Sequence, residues 1–291
     1  MEYSSKLAQY PAAPSAEQLA HIIKSAEQRA QSPTAEVLKC CLASLDLTSL
    51  SCCDTEQSTH QMARRAARFA DEFAHLDGVA SICIFPPFVE SVALEIDGSP
   101  LRITSVGGGF PASQTFLEVK ALEVAMAVEN GADEIDIVIN VGKVLSGQVD
   151  EAGGELELLR GEATEDTTLK VIIESGALES GEMIRTASLI SMMAGADFIK
   201  TSTGKIAQQA SPEAVVVMAE AIKAYHAATG RKVGIKVAGG VRTPSEAALY
   251  YYIVEDILGA EWLCPELFRI GASSLANALL SAIEGREICY F

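Results

Sequence analysis

The chain has 291 residues, 49% hydrophobic and 21% charged, which suits one barrel-sized domain or two small ones and excludes global disorder. Its formal net charge of −17 excludes nucleic acids and anionic membranes as partners, since both require a cationic footprint. No apolar run approaches the ~20 residues of a membrane helix, and the N-terminus lacks the basic and apolar parts of a signal peptide.

Residues 1–40 read as an N-terminal helical extension, punctuated by Pro11, Pro14 and Pro33, with a helix from Ser15 to about Ser32. A rhythm then begins over 41–291. Short β-branched runs at 42–48, 80–86, 101–106, 134–140, 169–175, 197–203, 232–240 and 267–273 alternate with helical patterns. Apolar runs of this length suit parallel strands covered on both faces. Strand alternating with helix makes right-handed βαβ units, and about eight of them predict an α/β fold, a (β/α)8 barrel of the TIM type.

The helical stretches carry their own signals. Met62, Phe69, Phe73 and Leu76 fall at helical spacing, with His75 on a helix face. Leu117, Ala121, Val124 and Val128 do the same, and Gly131 stops that helix. Ser211-Pro212 is an N-cap followed by proline, closed by Gly230. Thr243 and Glu246 form a capping box, closed by Gly259.

In such a barrel, function sits at the C-terminal strand ends. The fourth to seventh runs each carry one charge flanked by Ile or Val: Asp136, Lys170, Lys200 and Lys236. An isolated buried charge costs several kcal/mol, roughly, unless paired. Four on successive strands converge on one barrel mouth. Lysines crowded in an apolar cavity suit Schiff-base chemistry, because desolvation and a neighbouring cation populate the free amine. A carboxylate working through water would move the protons.

An anionic substrate would meet an unfavourable global field, so positive charge must be gathered locally. Thr203-Gly204-Lys205, Gly239-Gly240-Val241-Arg242 and Gly271-Ala272-Ser273-Ser274 follow strands six, seven and eight. Backbone N–H groups at such turns, with a helix N-terminus behind them, cradle phosphate. Gly107-Gly108-Gly109 lacks the dinucleotide spacing and reads as a loop, and Ile206 after Gly204-Lys205 rules out a P-loop. Asp133-Glu134-Asp136 superficially resembles a metal cluster, but strand alternation points Asp133 and Asp136 to opposite sides. His21, His60, His75 and His226 lie away from strand ends, which leaves no histidine triad or histidine metal site. The seven cysteines contain no C-x-x-C and read as reduced cytoplasmic thiols rather than a disulfide framework.

At these residues the sequence resembles the deoxyribose-phosphate aldolase family. The matching segments are LDLTSL at 45–50, SICIFPPF at 81–88, GFPASQT at 109–115 and GADEIDIVIN at 131–140. LKVIIESGAL at 169–178, GADFIKTSTGK at 195–205, VGIKVAGGVRT at 233–243 and FRIGASS at 268–274 follow in family order. The resemblance implies a class I aldolase that cleaves 2-deoxy-D-ribose 5-phosphate to acetaldehyde and D-glyceraldehyde 3-phosphate without metal or cofactor. It implies Lys200 as the Schiff-base lysine, Lys236 as the cation that lowers its pKa, and Asp136 as the proton-relay carboxylate. Asp46, Thr48 and Lys170 would contact the sugar. Thr203, Gly204, Lys205, Gly239, Gly240, Gly271, Ser273 and Ser274 would hold the phosphate. Tyr290, near the chain end, is the candidate for a tail tyrosine that aids proton transfer. Val237 stands where the family usually has proline. A cytoplasmic homodimer would fit the family, with Cys52-Cys53 or the N-terminal segment contributing. A Schiff-base aldolase of another phosphosugar and a phosphosugar-binding protein without turnover are the rival readings.

Overall fold

A computed structural model describes residues 2–291. Helices α1 (Tyr3–Leu7), α2 (Ala16–Ala30) and α3 (Ala35–Ala43) precede strand β1 (Leu45–Thr48). Helices α4 (Glu56–Ala67) and α5 (Phe69–Glu72) lead to β2 (Ser81–Ile84), and α6 (Val89–Glu95) to β3 (Arg102–Gly107). Helix α7 (Leu117–Glu129) leads to β4 (Glu134–Val138), and α8 (Val141–Leu145) with α9 (Val149–Glu162) to β5 (Thr168–Ile172). Then follow α10 (Gly181–Met193), β6 (Phe198–Lys200), α11 (Pro212–Thr229), β7 (Gly234–Ala238), α12 (Pro244–Leu258), β8 (Phe268–Ala272) and α13 (Leu275–Glu284).

The eight strands pair in parallel and in sequence order, and β8 returns to β1 to close the barrel. The closed (β/α)8 barrel expected from the rhythm of runs is therefore present. Its register explains how charged residues are tolerated in such strands. Asp46 pairs with Ser81, Thr104 with Glu134, Asp136 with Lys170, Lys200 with Lys236, and Lys236 with Arg269. Because side chains alternate along a strand, this set shares one face. The intervening residues, among them Leu45, Ile82, Ile135, Val171, Ile199, Ile235 and Ile270, are buried in the large apolar core. Apolar side chains thus point out to the helices, and the polar set fills the barrel.

The capping signals hold. The Ser211 hydroxyl accepts from the Ala214 N–H at 3.2 Å, and Thr243 and Glu246 form the reciprocal box. Two expectations need correction. The helix expected across 61–76 breaks at Arg68, so that Phe69 and Phe73 stack at 5.0 Å and join an aromatic cluster with Tyr290 and Phe291. His75 consequently lies in the turn beyond α5, with its Nε2 2.8 Å from Glu284, and not on a helix face. The first run also begins later than expected, because 42–43 end α3, a helix that spans the boundary placed near residue 40.

Candidate active site

Every strand of the barrel contributes to one buried polar network. Its upper tier is centred on Asp136. Lys200 Nζ and Lys236 Nζ each donate to Asp136 Oδ2 at 2.7 Å, and Lys170 Nζ donates to Oδ1 at 3.1 Å. Lys236 also pairs with Asp46 at 2.5 Å. The lower tier is centred on Glu134, which accepts from Lys170 at 2.5 Å, from Arg269 at 2.8 and 3.1 Å, and from Thr104 at 2.7 Å. Arg269 bridges the tiers by donating to Asp46 at 2.5 Å. The Ser81 and Thr104 hydroxyls, 2.9 Å apart, complete the ring.

Burial and pairing compete at each of these groups. Burial opposes ionisation of Asp136, but Lys170, Lys200 and Lys236 outweigh it and hold the carboxyl far below its ordinary range. Burial also works against Glu134, and Lys170 and Arg269 override it, bringing the group to about 2. At Lys236, burial is overcome by Asp136 and Asp46, so this amine stays protonated. Lys200 goes the other way. Burial lowers its pKa, the pull of Asp136 does not compensate, and Lys236 lowers it further.

A charge count reaches the same conclusion. Its buried members are four cations (Lys170, Lys200, Lys236 and Arg269) against three carboxylates (Asp46, Glu134 and Asp136), with half-exposed Arg102 joining Glu134 from the rim at 3.5 Å. Within this buried set one proton is in excess, and a neutral Lys200 would balance it at three against three.

Above the network opens a cavity of about 480 Å³, lined by Thr48, Lys200, Thr203, Gly204, Lys205, Gly239, Gly240, Gly271, Ser273 and Ser274. Lys200 is the one member of the ionic network on its wall. Gly239 and Gly240 adopt φ of 88° and 85°, a left-handed pair that only glycine accepts without strain. Ser274 precedes α13 and makes no side-chain cap, which leaves the first-turn N–H groups free for an anion. Lys205 Nζ is held over the cavity by the Leu50 carbonyl. Glu174 fixes the loop after β6 by accepting from the Thr203 N–H at 3.1 Å and the Thr203 hydroxyl at 2.5 Å.

Three sequence-predicted residues lie elsewhere than expected. Asp46 and Lys170 were expected on the sugar, but both are fully buried in ion pairs below the cavity floor. Tyr290 is turned away, its hydroxyl donating to the Arg65 carbonyl at 2.8 Å and its ring packed on Phe69 and Phe73. Sequence reasoning missed Glu134 and Arg269. Alternation from Asp136 and the pairing of neighbouring strands would have marked both as inward. It also missed Gln209 on the cavity wall, which no periodicity signals, and took Arg242 only as the end of the turn after strand seven.

This geometry coincides with a family match. The profile of the DeoC/LacD family aldolases covers residues 41–281. The chain belongs to this aldolase family. The deoxyribose-phosphate aldolase of Mus musculus is 43% identical over 243 residues, covering 80% of this chain and 76% of its own. That of Homo sapiens is 41% identical over the same length. The fold agrees with a Toxoplasma gondii ME49 crystal structure at a TM-score of 0.74 and 23% identity, covering 86% of this chain and 95% of the other. The deoxyribose phosphate aldolase structure of Aeropyrum pernix matches at 0.65 and 25%, covering 92% and 98%. The barrel network and cavity described above all fall within the matched residues 41–281, and Tyr290 lies beyond them.

Proposed function

We infer that this aldolase cleaves 2-deoxy-D-ribose 5-phosphate reversibly to acetaldehyde and D-glyceraldehyde 3-phosphate. The observation that carries the reading is the sharing of Asp136 Oδ2 by two lysine amines, only one of which reaches the cavity. The relatives' names supply the substrate.

The free amine of Lys200 attacks C1 of the open-chain sugar, and loss of water leaves an iminium. A water beside Asp136 takes the C3 hydroxyl proton as the C2–C3 bond breaks, and the iminium accepts the electron pair as an enamine. The enamine is protonated at C2, and hydrolysis returns the amine. Lys236 keeps Asp136 ionised and repels a proton from Lys200. The phosphate sits against Gly204, Lys205, Gly239, Gly240, Ser273 and Ser274, so that C1 reaches Lys200 on the cavity floor.

Borohydride trapping with acetaldehyde tests the reading. The reduced adduct is expected on Lys200 by peptide mass mapping. Active protein with no adduct there would overturn it.

A further inference from the structure

The loop between β1 and α4 forms one wall of the cavity through Ser49, Leu50 and Ser51. Beyond them the chain makes a turn closed by the Asp54 N–H donating to the Ser51 carbonyl at 3.1 Å. Cys52 and Cys53 are its two central residues, both exposed, with their sulfurs 3.9 Å apart. The Asp54 carboxylate ties the turn to the wall by accepting from the Ser49 hydroxyl at 2.8 Å and the Ser51 N–H at 2.9 Å. Cys53 N–H donates to the Ser51 hydroxyl at 3.1 Å. The Leu50 carbonyl accepts from Lys205. The thiol pair is thus linked through three short steps to the cation at the phosphate end.

We propose that Cys52 and Cys53 form a thiol–disulfide exchange site for small disulfides of the glutathione disulfide class, and that closing the pair into a vicinal disulfide weakens phosphate binding. One thiolate attacks the small disulfide, forming a mixed disulfide and releasing one small thiol. The second thiolate attacks the bonded cysteine sulfur, forming the Cys52–Cys53 bond and releasing the other thiol. Two electrons pass from the cysteine pair to the small disulfide, and the two thiol protons leave with the released thiols.

The sulfurs need close only from 3.9 Å to the bonded distance of about 2.0 Å. The ring between adjacent residues is small, so the turn must reshape around it. The Asp54–Ser51 hydrogen bonds are the ones that give way, and Ser51, Leu50 and the Lys205 contact move with them. Strain of this kind makes a disulfide easily reduced, so the pair closes under oxidising conditions and reopens with excess thiol.

The phosphate consequence rests on the proposed function, and ring closure does not, so the two are read separately. The protein is titrated with glutathione disulfide, and the Cys52–Cys53 peptide is mapped by mass. Inorganic phosphate binding is measured calorimetrically before and after. The expected peptide has lost two hydrogens and carries no glutathione, and thiol treatment restores it. Cys52→Ser and Cys53→Ser should each stop at the glutathione adduct while keeping basal activity. Phosphate affinity should fall several-fold in the oxidised protein only. A stable adduct on the unsubstituted pair, an intermolecular disulfide or no reaction would overturn the exchange site. Ring closure with unchanged phosphate affinity would overturn the coupling. Failure of the reduced protein to bind phosphate would instead remove the phosphate reading, and the coupling with it.

Discussion

The interior of the barrel and the cavity above it use polar groups in opposite ways. Inside, Asp46, Glu134, Asp136, Lys170, Lys236 and Arg269 are buried and committed to one another. Above, the glycine turns and Ser273 and Ser274 line an open space. Lys200 belongs to both, bonded to Asp136 below and facing the cavity above. A saturated ionic interior costs desolvation and contributes little net stability relative to apolar packing. Its contribution here is to set the two lysines apart, lowering the Lys200 pKa while raising that of Lys236. The uncommitted layer then lines the cavity with groups free of that network.

The sharpest test of that division is Lys200→Met. Turnover should fall to background, because no other amine of the ionic network lines the cavity. The fold should survive, because the interior keeps three cations for three carboxylates. Thermal unfolding at or above the wild-type midpoint, with no retro-aldol product, is the expected pair of results. Lys236→Leu leaves the same count only if Lys200 stays protonated. It should therefore raise the Lys200 pKa, moving the acid limb of the pH–rate profile upward. Activity at neutral pH should fall about tenfold for each unit of that shift. An unmoved acid limb would break the link between the two lysines.

The interior is sharpened next by Glu134→Gln, which leaves Lys170 and Arg269 short of a buried anion. Breaking one partner of such a pair costs about 3–5 kcal/mol, read by denaturant unfolding. The sign of the pH effect follows from Glu134 being held at about 2 against its ordinary 4.5. Below 4.5 the unfolded chain takes up a proton that the folded one refuses. Stability from this group is thus present above that value and is lost as pH falls toward 2. The variant has no such group, so its stability should fall less steeply over that interval.

Much of this was legible in sequence. Lys200, Lys236 and Asp136 stood out because a charge among Ile and Val in a buried strand demands a partner. Glu134 and Arg269 demanded one equally, but each sits near a strand start, where charge is unremarkable until register is known. Register also reassigned Asp46 and Lys170. Their motifs placed them at the site, and only the depth of the interior shows them one layer below the cavity. Tyr290 shows the same limit, because the path of a tail follows from tertiary packing on Phe69 and Phe73 and from no local pattern.

The cavity layer predicts a smaller effect. On the proposed function, Lys205→Ala removes one charge-assisted contact to phosphate, worth about 1.5–3 kcal/mol. KM for the phosphorylated sugar should rise by roughly 10- to 100-fold, while turnover of unphosphorylated 2-deoxyribose stays near wild type. Equal losses on both sugars would place Lys205 in the chemistry and not in the cradle.

The smallest effect lies farthest from both layers, in the N-terminal segment. Its α1 is strapped to the barrel. Ser4 donates to Asp150 from its N–H at 3.0 Å and from its hydroxyl at 2.7 Å, and Arg185 donates to the carbonyls of Leu7 and Tyr10 at 2.7 and 2.8 Å. Tyr3 is fully buried, with its ring against Gly153 of α9, so close that a Cβ there would fall well inside van der Waals contact. Gly153→Ala should therefore expel Tyr3 and loosen the strap. Overpacking of this kind costs about 1–3 kcal/mol, partly offset because alanine favours the α9 helix by about 1 kcal/mol. The strap grips α9 and α10 on the outside of the barrel, while Lys200 and the glycine turns belong to strands and loops at the mouth. Hydrogen exchange at 3–10 should rise with kcat and KM unchanged. Altered kinetics would mean that the segment reaches the site through α9 and α10, and that the barrel wall is softer than its saturated interior implies.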